Sequence, residues 1–374
     1  MSRRVLVTGG AGFIGSHLVD RLLGAGYAVR VLDCLLPQVH DGSLPGYLSP
    51  NAELLQGDVR DAATTRRALE GADVVFHLAA AVGVGQSMYE IGHYTSVNVM
   101  GTATLLEVIV KEKLRPRRLV VASSMSVYGE GLYACAACGP QSPAPRPTAQ
   151  LARREWSLRC PWCGEELEPR PTPETKPMRP TSVYAINKRD QEDMVLAVGR
   201  SVGIPTLALR FFNVYGERQA LSNPYTGVAA NFSSALLNRR RPLVFEDGLQ
   251  ARDFVHVSDV AEACLQAIER EDMADDVFNI GTGAPTNLLQ LLAILRKEIP
   301  GPADVEPEIL GRFREGDVRA CYADINRARE KLGFVPRVAI ETGVKSLAAW
   351  VRSQMSVDRS KDAIEELKRH ELIR

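Results

Sequence analysis

Gly9-Gly10-Ala11-Gly12-Phe13-Ile14-Gly15 places glycines at 9, 12 and 15, directly after the short β-branched run Val5–Val7. The first glycine permits a tight turn out of a strand. The second lets the backbone approach a pyrophosphate, and the third lets the following helix pack closely on the strand. That helix is legible: Phe13, Ile14, Leu18, Val19, Leu22 and Leu23 recur at helical spacing, and Gly24 and Gly26 end it. A pyrophosphate on such a turn meets the positive end of the helix. A glycine string alone also occurs in turns that hold nothing, but here a strand precedes it, a helix follows, and Asp33 closes the next strand. A carboxylate at that spacing suits the adenosine ribose hydroxyls, which favours NAD over NADP. Gly9, Gly12, Phe13, Ile14, Gly15 and Asp33 are therefore candidate cofactor residues. Asp58 and Val59 of "GDVRD" join them, where the adenine ring is expected.

Strand-like runs recur as "ADVVFHLAA" at 72–80, "RRLVVASS" at 117–124 and "PTLALRFFN" at 205–213, separated by helical stretches such as 97–111 and 182–202. Strands alternating with helices predict an α/β fold, a Rossmann-type doubly wound parallel sheet. Residues 1–132 and 181–214 form the expected cofactor domain. Residues 133–180, rich in Pro, Arg and Cys and without a helical or strand period, read as an insertion. Residues 215–374 read mainly as a smaller C-terminal substrate lobe with some segments returning to the first domain. Its expected elements are helices near 226–238, 258–270 and 286–298 and a strand at 252–257. The tail "VDRSKDAIEELKRHELIR" reads as a charged amphipathic helix, either solvated or packed on a partner subunit.

Forty-five basic residues balance forty-five acidic ones. That removes the electrostatic argument for nucleic acid or an anionic membrane as partner. No apolar run approaches the ~18 residues that span a bilayer. The glycine-broken opening does not read as a signal peptide. A cytoplasmic protein is expected.

Of ten tyrosines, Tyr184 alone has a lysine four residues on. On a helix Tyr184 and Lys188 share a face. An ammonium beside a phenol favours the phenolate and lowers its pKa toward the working range. Ser124 ends a strand, where its hydroxyl is placed to bond a reacting oxygen. Each pattern alone is ordinary; their order after a cofactor loop gives them weight.

At this point the sequence is similar to the extended short-chain dehydrogenase/reductase family, specifically its NAD-dependent nucleotide-sugar epimerases and dehydratases. The resemblance spans nearly the whole chain outside 133–180. It rests on "TGGAGFIG", "GDVRD", "HLAA", "NVMGT", "SSMSVYG", Tyr184 with Lys188, "LRFFNVYG", "RDFVHVSDVA", "NIGTG" and "REGD". It implies a bound NAD that takes a hydride from a sugar carbon and returns it. Tyr184 would act as base on a sugar hydroxyl, with Ser124 as its hydrogen-bonding partner and Lys188 on the nicotinamide ribose. Ala79, Ala80 and Asn98 would also contact cofactor. A nucleotide-diphosphate sugar is the implied substrate, held by Ser124, Ser126, Asn213, Phe245, Arg252 and Arg314. A homodimer formed through 97–111 and 182–202 is implied as well.

Two positions separate the branches of this family. Dehydratases carry Asp-Glu where this chain has Met125 and Ser126, related decarboxylases keep the Glu, and 3,5-epimerases place a Cys there. Without a second acid/base pair, oxidation and reduction at one carbon remains, which is 4-epimerisation. A 4-ketoreductase with freely exchanging cofactor is the alternative enzyme. A non-catalytic cofactor sensor or RNA-binding descendant is the alternative class, disfavoured by the intact Tyr184 and Lys188 and the balanced charge. Ala220, near where uronate epimerases carry an arginine in "ERQALSNPYTG", favours a neutral sugar. Cys321 falls where the family controls room around the sugar's C2 substituent.

Four of the seven cysteines form C-x2-C-x21-C-x2-C: Cys135, Cys138, Cys160 and Cys163. Two-residue gaps let both thiolates of a knuckle reach one tetrahedral ion at ~2.3 Å. A redox pair would need a helix start in its own βαβ unit, and a catalytic zinc an open position. A structural Zn²⁺ is expected, its negative charge offset by Arg153, Arg154 and Arg159. The six histidines lie away from this set in sequence. Because the insertion joins the strand of Ser124 to the helix of Tyr184, it is expected beside the active-site mouth, as a wall or as a partner contact.

Overall fold

The apolar runs assemble into one parallel sheet of seven strands. They are β1 (Arg4–Thr8), β2 (Ala28–Asp33), β3 (Glu53–Gln56), β4 (Val74–His77), β5 (Arg118–Ser124), β6 (Thr206–Phe211) and β7 (Asp276–Ile280). Their order is β7-β6-β5-β4-β1-β2-β3, all parallel. The structure, a computed structural model, describes residues 3–40, 43–221, 227–270, 272–299, 305–354 and 360–374. Side chains of each strand alternate between two cores: Val5, Val7, Val29, Val31 and Phe76 enter one, Leu6, Leu32 and Val75 the other. A sheet buried on both faces explains why its strands read as continuous apolar runs. The strand order reverses between β1 and β4, which opens a crevice outside their carboxyl ends.

The longer helices are α1 (Phe13–Gly24), α2 (Gly101–Lys111), α3 (Val183–Val202), α4 (Val228–Leu237), α5 (Val257–Glu269), α6 (Leu288–Glu298), α7 (Ile340–Arg352) and α8 (Ser360–Arg369). Local chemistry sets their ends. Ser182 accepts from the Ala185 amide to start α3, and Gly203, left-handed at φ +70°, stops it. Asn287 and Gln290 form a reciprocal cap on α6. The smaller lobe packs α4, α6 and α7 around Tyr215, Phe232, Phe254, Leu291 and Leu347. Its segments do return to the sheet: α5 supplies Val260, Cys264 and Leu265 to the first core, and β7 forms the edge of the sheet.

The insertion, which shows no long helical or strand period in sequence, carries short strands. Strand Leu132–Cys135 pairs antiparallel with Gly139–Gln141 on one side and Glu168–Arg170 on the other. Tyr133, Cys135, Leu158, Cys160 and Leu167 pack into a small core that also touches Ala320. Strands of three or four residues present no period to read, so the sequence hides them.

A buried polar chain crosses the sheet. The Thr8 hydroxyl lies 2.8 Å from His77 Nδ1, His77 Nε2 lies 2.9 Å from Thr102 Oγ1, and the Gln191 amide donates to Thr102 at 2.8 Å. Burial, with a smaller effect from the Lys188 charge, pushes the His77 imidazole down to about 3. The folded chain therefore holds His77 neutral, while the unfolded chain protonates it near its ordinary value. This contribution to stability is complete above roughly pH 6.5 and declines as pH falls toward 3. We expect denaturant midpoints measured from pH 7 to pH 4 to fall more steeply for the wild type than for His77→Asn. The difference approaches about 1.4 kcal/mol per pH unit within that window; parallel profiles would refute the assignment.

Candidate active site

A cavity of about 1150 Å³ lies outside the carboxyl ends of β1, β4, β5 and β6, beneath the smaller lobe. At one end the glycine loop forms its floor. Gly9 is left-handed at φ +71°, and a Cβ there would lie 2.8 Å from the Ala79 nitrogen. A Cβ on Gly15 would lie 2.2 Å from the Gly9 carbonyl oxygen, so α1 starts flush against the turn. On Gly12 a Cβ would meet just the Gly9 oxygen at 3.3 Å. Its other side faces the cavity, together with Phe13, Ile14, Ala79 and Ala80. Asp33 is buried at the end of β2. Its carboxylate accepts from the amides of Ala11 at 3.0 Å and Leu35 at 2.9 Å. Each oxygen keeps acceptor capacity for a further donor. Asp58 and Val59 line the same end, with Arg60 forked onto Asp58 and holding its carboxyl below the usual range. A cradle without room for side chains, closed by a carboxylate, fits a dinucleotide.

Asn98 stands behind the loop that carries Ala79 and Ala80. It is fully buried, accepts from the Ala81 amide at 2.8 Å and donates to the Ala81 carbonyl at 3.1 Å. It thus pins the loop after β4 from behind.

Ser124 ends β5 and its hydroxyl accepts from the Ser126 amide at 3.2 Å and the Ser126 hydroxyl at 2.9 Å. Tyr184 stands in the first turn of α3, its amide donating to Ser87 Oγ at 3.0 Å, and lines the same cavity as Ser124. Lys188, one turn on, donates to the Ala122 carbonyl at 2.9 Å and sits 6.0 Å from the centre of the Tyr184 ring. Burial pushes Tyr184 up to about 12, opposed by the Ser124 hydroxyl, and pushes Lys188 down to about 7. Lys188 is buried and Tyr184 half-buried on the cavity wall, and desolvation shifts each toward its neutral form.

The sequence carries no local signal for what aims α3. Glu192, two turns beyond Tyr184, accepts from both Arg210 Nη2 at 2.5 Å and Arg210 Nε at 3.0 Å, and from the Ser123 hydroxyl at 2.6 Å. This buried pair ties the helix to β5 and β6, and so holds Tyr184 on the same cavity wall as Ser124. Glu192 and Arg210 are 18 residues apart on elements whose contact the tertiary fold decides.

Across the cavity, Asp317 holds two arginines. Arg252 donates to one of its oxygens at 2.8 Å and Arg314 to the other at 3.1 Å. Burial would raise Asp317, but Arg314, Arg252 and Arg146 outweigh it and keep its carboxyl below the usual range. The Arg314 guanidinium lies 4.6 Å over the Phe245 ring. Arg314 Nε and Asn213 Oδ1 are buried with no partner among the described residues, and both residues face the cavity, as do Ser126 and Ala220. Asp317 closes the "REGD" motif, and a single acidic residue there gives no hint of its hold on two arginines. Cys321 is not on the cavity wall: it lies in a cluster with Met125, Tyr128 and Phe212, its sulfur 3.8 Å from Thr172 Oγ1 of the insertion. It therefore does not set the room around a sugar. Residues 222–226 of the "SNPYTG" stretch lie outside the described residues.

The insertion backs the cavity instead of lining it. Arg146, its side chain 1% exposed, donates to both Glu246 oxygens at 2.8 Å and to the Asp317 carbonyl at 3.1 Å. It thus braces the segment that carries Arg314 and Asp317. The sulfurs of Cys135, Cys138, Cys160 and Cys163 all lie within 4.8 Å of one another, and no other such group exists among the described residues. Cys135 and Cys163 approach to 3.4 Å; a tetrahedral ion bound at ~2.3 Å would set its sulfurs about 3.8 Å apart. Burial alone would raise the Cys160 thiol, but backbone amides at Cys163 and Trp162 hold it down to about 7. Four thiols with amides aimed at sulfur fit a tetrahedral metal. Of the arginines expected to offset its charge, Arg153 is engaged by Glu155 at 2.9 Å, and Arg159 donates to the Gly164 carbonyl in the knuckle.

The described part of the charged tail, 360–374, packs on its own chain. Leu367 and Ile373 pack on Phe245, with Tyr89 and Leu310 beside them.

The sequence profile of the NAD dependent epimerase/dehydratase family matches residues 5–147 and 160–281. The gap between the two matched blocks falls within the insertion. A dTDP-L-rhamnose 4-epimerase of Burkholderia thailandensis is 36% identical over 94% of this chain and 96% of its own. Among solved structures, the UDP-glucose 4-epimerase of Thermotoga maritima with UDP-glucose superimposes with a TM-score of 0.75. It is 32% identical, covering 93% of this chain and 98% of its own. A UDP-glucuronic acid 4-epimerase of Bacillus cereus, in complex with UDP-glucuronic acid and NAD, gives 0.76 at 25% identity, covering 93% and 99%.

These positions predict a contrast in bound NAD. Asp33→Ala loses the carboxylate that closes the cradle and the two amides it orders, and we expect NAD affinity to fall by at least about 10-fold. Tyr184→Phe keeps every contact of the cradle, and purified protein should carry wild-type NAD per chain. Equal retention by both variants would contradict the placement of the cofactor.

Proposed function

The chain belongs to the NAD dependent epimerase/dehydratase family, and from that premise we propose that it is an NAD-dependent 4-epimerase of nucleotide-diphosphate sugars. One observation carries the reading. Ser124, Tyr184 and Lys188 converge in the crevice at the sheet's switch point, and Met125 and Ser126 beside them supply no carboxylate. The site therefore has one proton-handling centre, suited to oxidation and reduction at a single carbon.

NAD, when bound in the glycine cradle, accepts hydride from the sugar and gives it back. The chain's residues handle the rest. Tyr184 takes the proton of the sugar C4 hydroxyl and returns it. Burial makes the phenol a poor base by itself, and positive charge beside it favours the phenolate. Ser124, which lines the cavity with the phenol, holds the same sugar oxygen. Lys188 donates along the ribose edge and supplies positive charge in the proportion that its lowered pKa leaves it protonated. Arg252 and Arg314, splayed by Asp317, take the diphosphate, with charge-assisted hydrogen bonds that suit its oxygens. Asn213 and Phe245 flank them. Re-reduction from the other face requires the 4-keto sugar to turn, and an anchor at the diphosphate leaves the sugar end free to do so. Ala220 on the wall offers no charge to a sugar carboxylate, which supports a neutral sugar.

The four cysteines of the insertion would hold one structural Zn²⁺, leaving no coordination position open. The family resemblance supports a homodimer through 97–111 and 182–202, and the exposed Met100, Val110 and Ile186 near or on these helices add to it. Among the described residues no helix is long and apolar enough to cross a membrane. With balanced charge, this supports a cytoplasmic enzyme that does not bind nucleic acid.

The deciding experiment uses UDP- and dTDP-sugars deuterated at C4, followed by NMR. We expect interconversion at C4 with the label retained and no solvent deuterium at C5. Label lost to exchanged cofactor would indicate a ketoreductase, and exchange at C5 a dehydratase or 3,5-epimerase.

The insertion generates a second expectation. Protein purified under reducing conditions should contain one zinc per chain. Cys160→Ser should lower Tm and raise KM for the sugar nucleotide through the Arg146 brace, with little change in hydride transfer. Metal-free wild-type protein, or a hydride step whose rate follows the identity of the metal, would refute a structural zinc.

A further inference from the structure

The segment 360–374 reaches from one half of the cavity to the other. On the sheet side, His370 stacks on Tyr89 at 4.5 Å with the rings within 11° of parallel. Leu367 lies so close to Gly85 that a Cβ there would stand 3.2 Å from it. On the lobe side, the tail pairs antiparallel with the segment that bears the arginine. Phe313 and Arg374 exchange hydrogen bonds at 3.0 and 3.2 Å, the Glu315 amide donates to the Leu372 carbonyl at 3.2 Å, and Arg314 bridges Ile373. Leu367 and Ile373 pack against Phe245, the ring over which Arg314 sits. Lys361, Ala363, Ile364, Leu367 and Leu372 face into the cavity.

We propose that segment 360–374 is an element of the substrate site, a clamp that positions Arg314 and Phe245 for the nucleotide diphosphate and completes the cavity wall beside it. The apolar stripe of α8 serves this role, because the side chains that make it amphipathic are those that touch Phe245 and the cavity. The main-chain pairing fixes the backbone of Phe313–Glu315, and a guanidinium is useful to a diphosphate only where its backbone is fixed. Lys361 adds a cation to the same wall. The glycine cradle lies at the other end of the cavity, so the clamp acts on sugar nucleotide and not on NAD. This inference rests on the assignment of Arg314 to the diphosphate.

The test shortens the chain after Arg359 and measures three things in NAD-loaded protein: bound NAD, Kd for UDP and dTDP by calorimetry, and KM against kcat for the epimerised sugar nucleotide. We expect NAD occupancy unchanged, Kd and KM weaker by at least about 10-fold, and kcat within a few-fold at saturation. Removal exposes Phe245 and Leu310, so if the shortened chain does not fold, the full-length double variant Leu367→Ala/Ile373→Ala decides the matter by the same readouts. Arg314→Ala serves as control. If it weakens UDP or dTDP binding while the clamp variants bind as wild type, the clamp is refuted and the diphosphate assignment stands. If neither changes, the assignment fails and the clamp with it. Tighter binding in the shortened chain would mean that the tail obstructs the site, which also overturns the proposal.

Discussion

The contact between the Gly15 position and the Gly9 carbonyl, too close for any side chain, is the constraint on which the rest of the molecule depends. It seats α1 against the end of β1 so that the helix amides face the crevice. Gly9 makes the same demand on its other side, where the Ala79 backbone of the loop after β4 leaves no space. Three elements are thereby locked at the point where the strand order reverses. The Asp33 carboxylate ties the turn to β2 through the Ala11 amide. A single added methyl at Gly15 would separate helix from strand and remove the cofactor's floor.

At the catalytic end, desolvation is the dominant force. Lys188 and His77 are buried and Tyr184 is half-buried on the cavity wall, and desolvation drives each toward its neutral form. Neutral groups at rest suit a site whose proton must move twice in one turnover, off the sugar and back. The buried Glu192–Arg210 pair resolves the mechanical side of the problem. Breaking one partner of such a pair costs about 3–5 kcal/mol, because it strands a buried charge. That strength keeps α3 in register with β5, so that Tyr184 and Ser124 face the same cavity.

The substrate side is organised around Asp317 in the same manner. One carboxylate orients two arginines in front, and Arg146 of the insertion grips the Asp317 carbonyl and Glu246 from behind. The insertion is therefore a buttress. Its cysteine cluster shapes a small domain whose buried arginine bears on the wall, while its own residues stay off the cavity.

The glycine turn, Asp33, and the pair Tyr184 and Lys188 were legible in the sequence because their geometry is local. A turn, a strand end and an i,i+4 helix face each follow from spacing alone. The alternation of apolar runs likewise determined the doubly wound sheet, and the two-residue gaps brought out the cysteine set. Other features were decided by elements that meet only after folding. The bonds of Asn98 to Ala81 and the packing of Cys321 against Met125, Tyr128 and Phe212 could not be read from the sequence, because side-chain direction depends on what covers each strand. Asp317, Glu192 and Arg146 gained roles through partners 65, 18 and 100 residues away. The tail's place over Phe245 belongs to this second class. An amphipathic period says that a helix buries one face, and the tertiary structure alone chooses the surface that receives it.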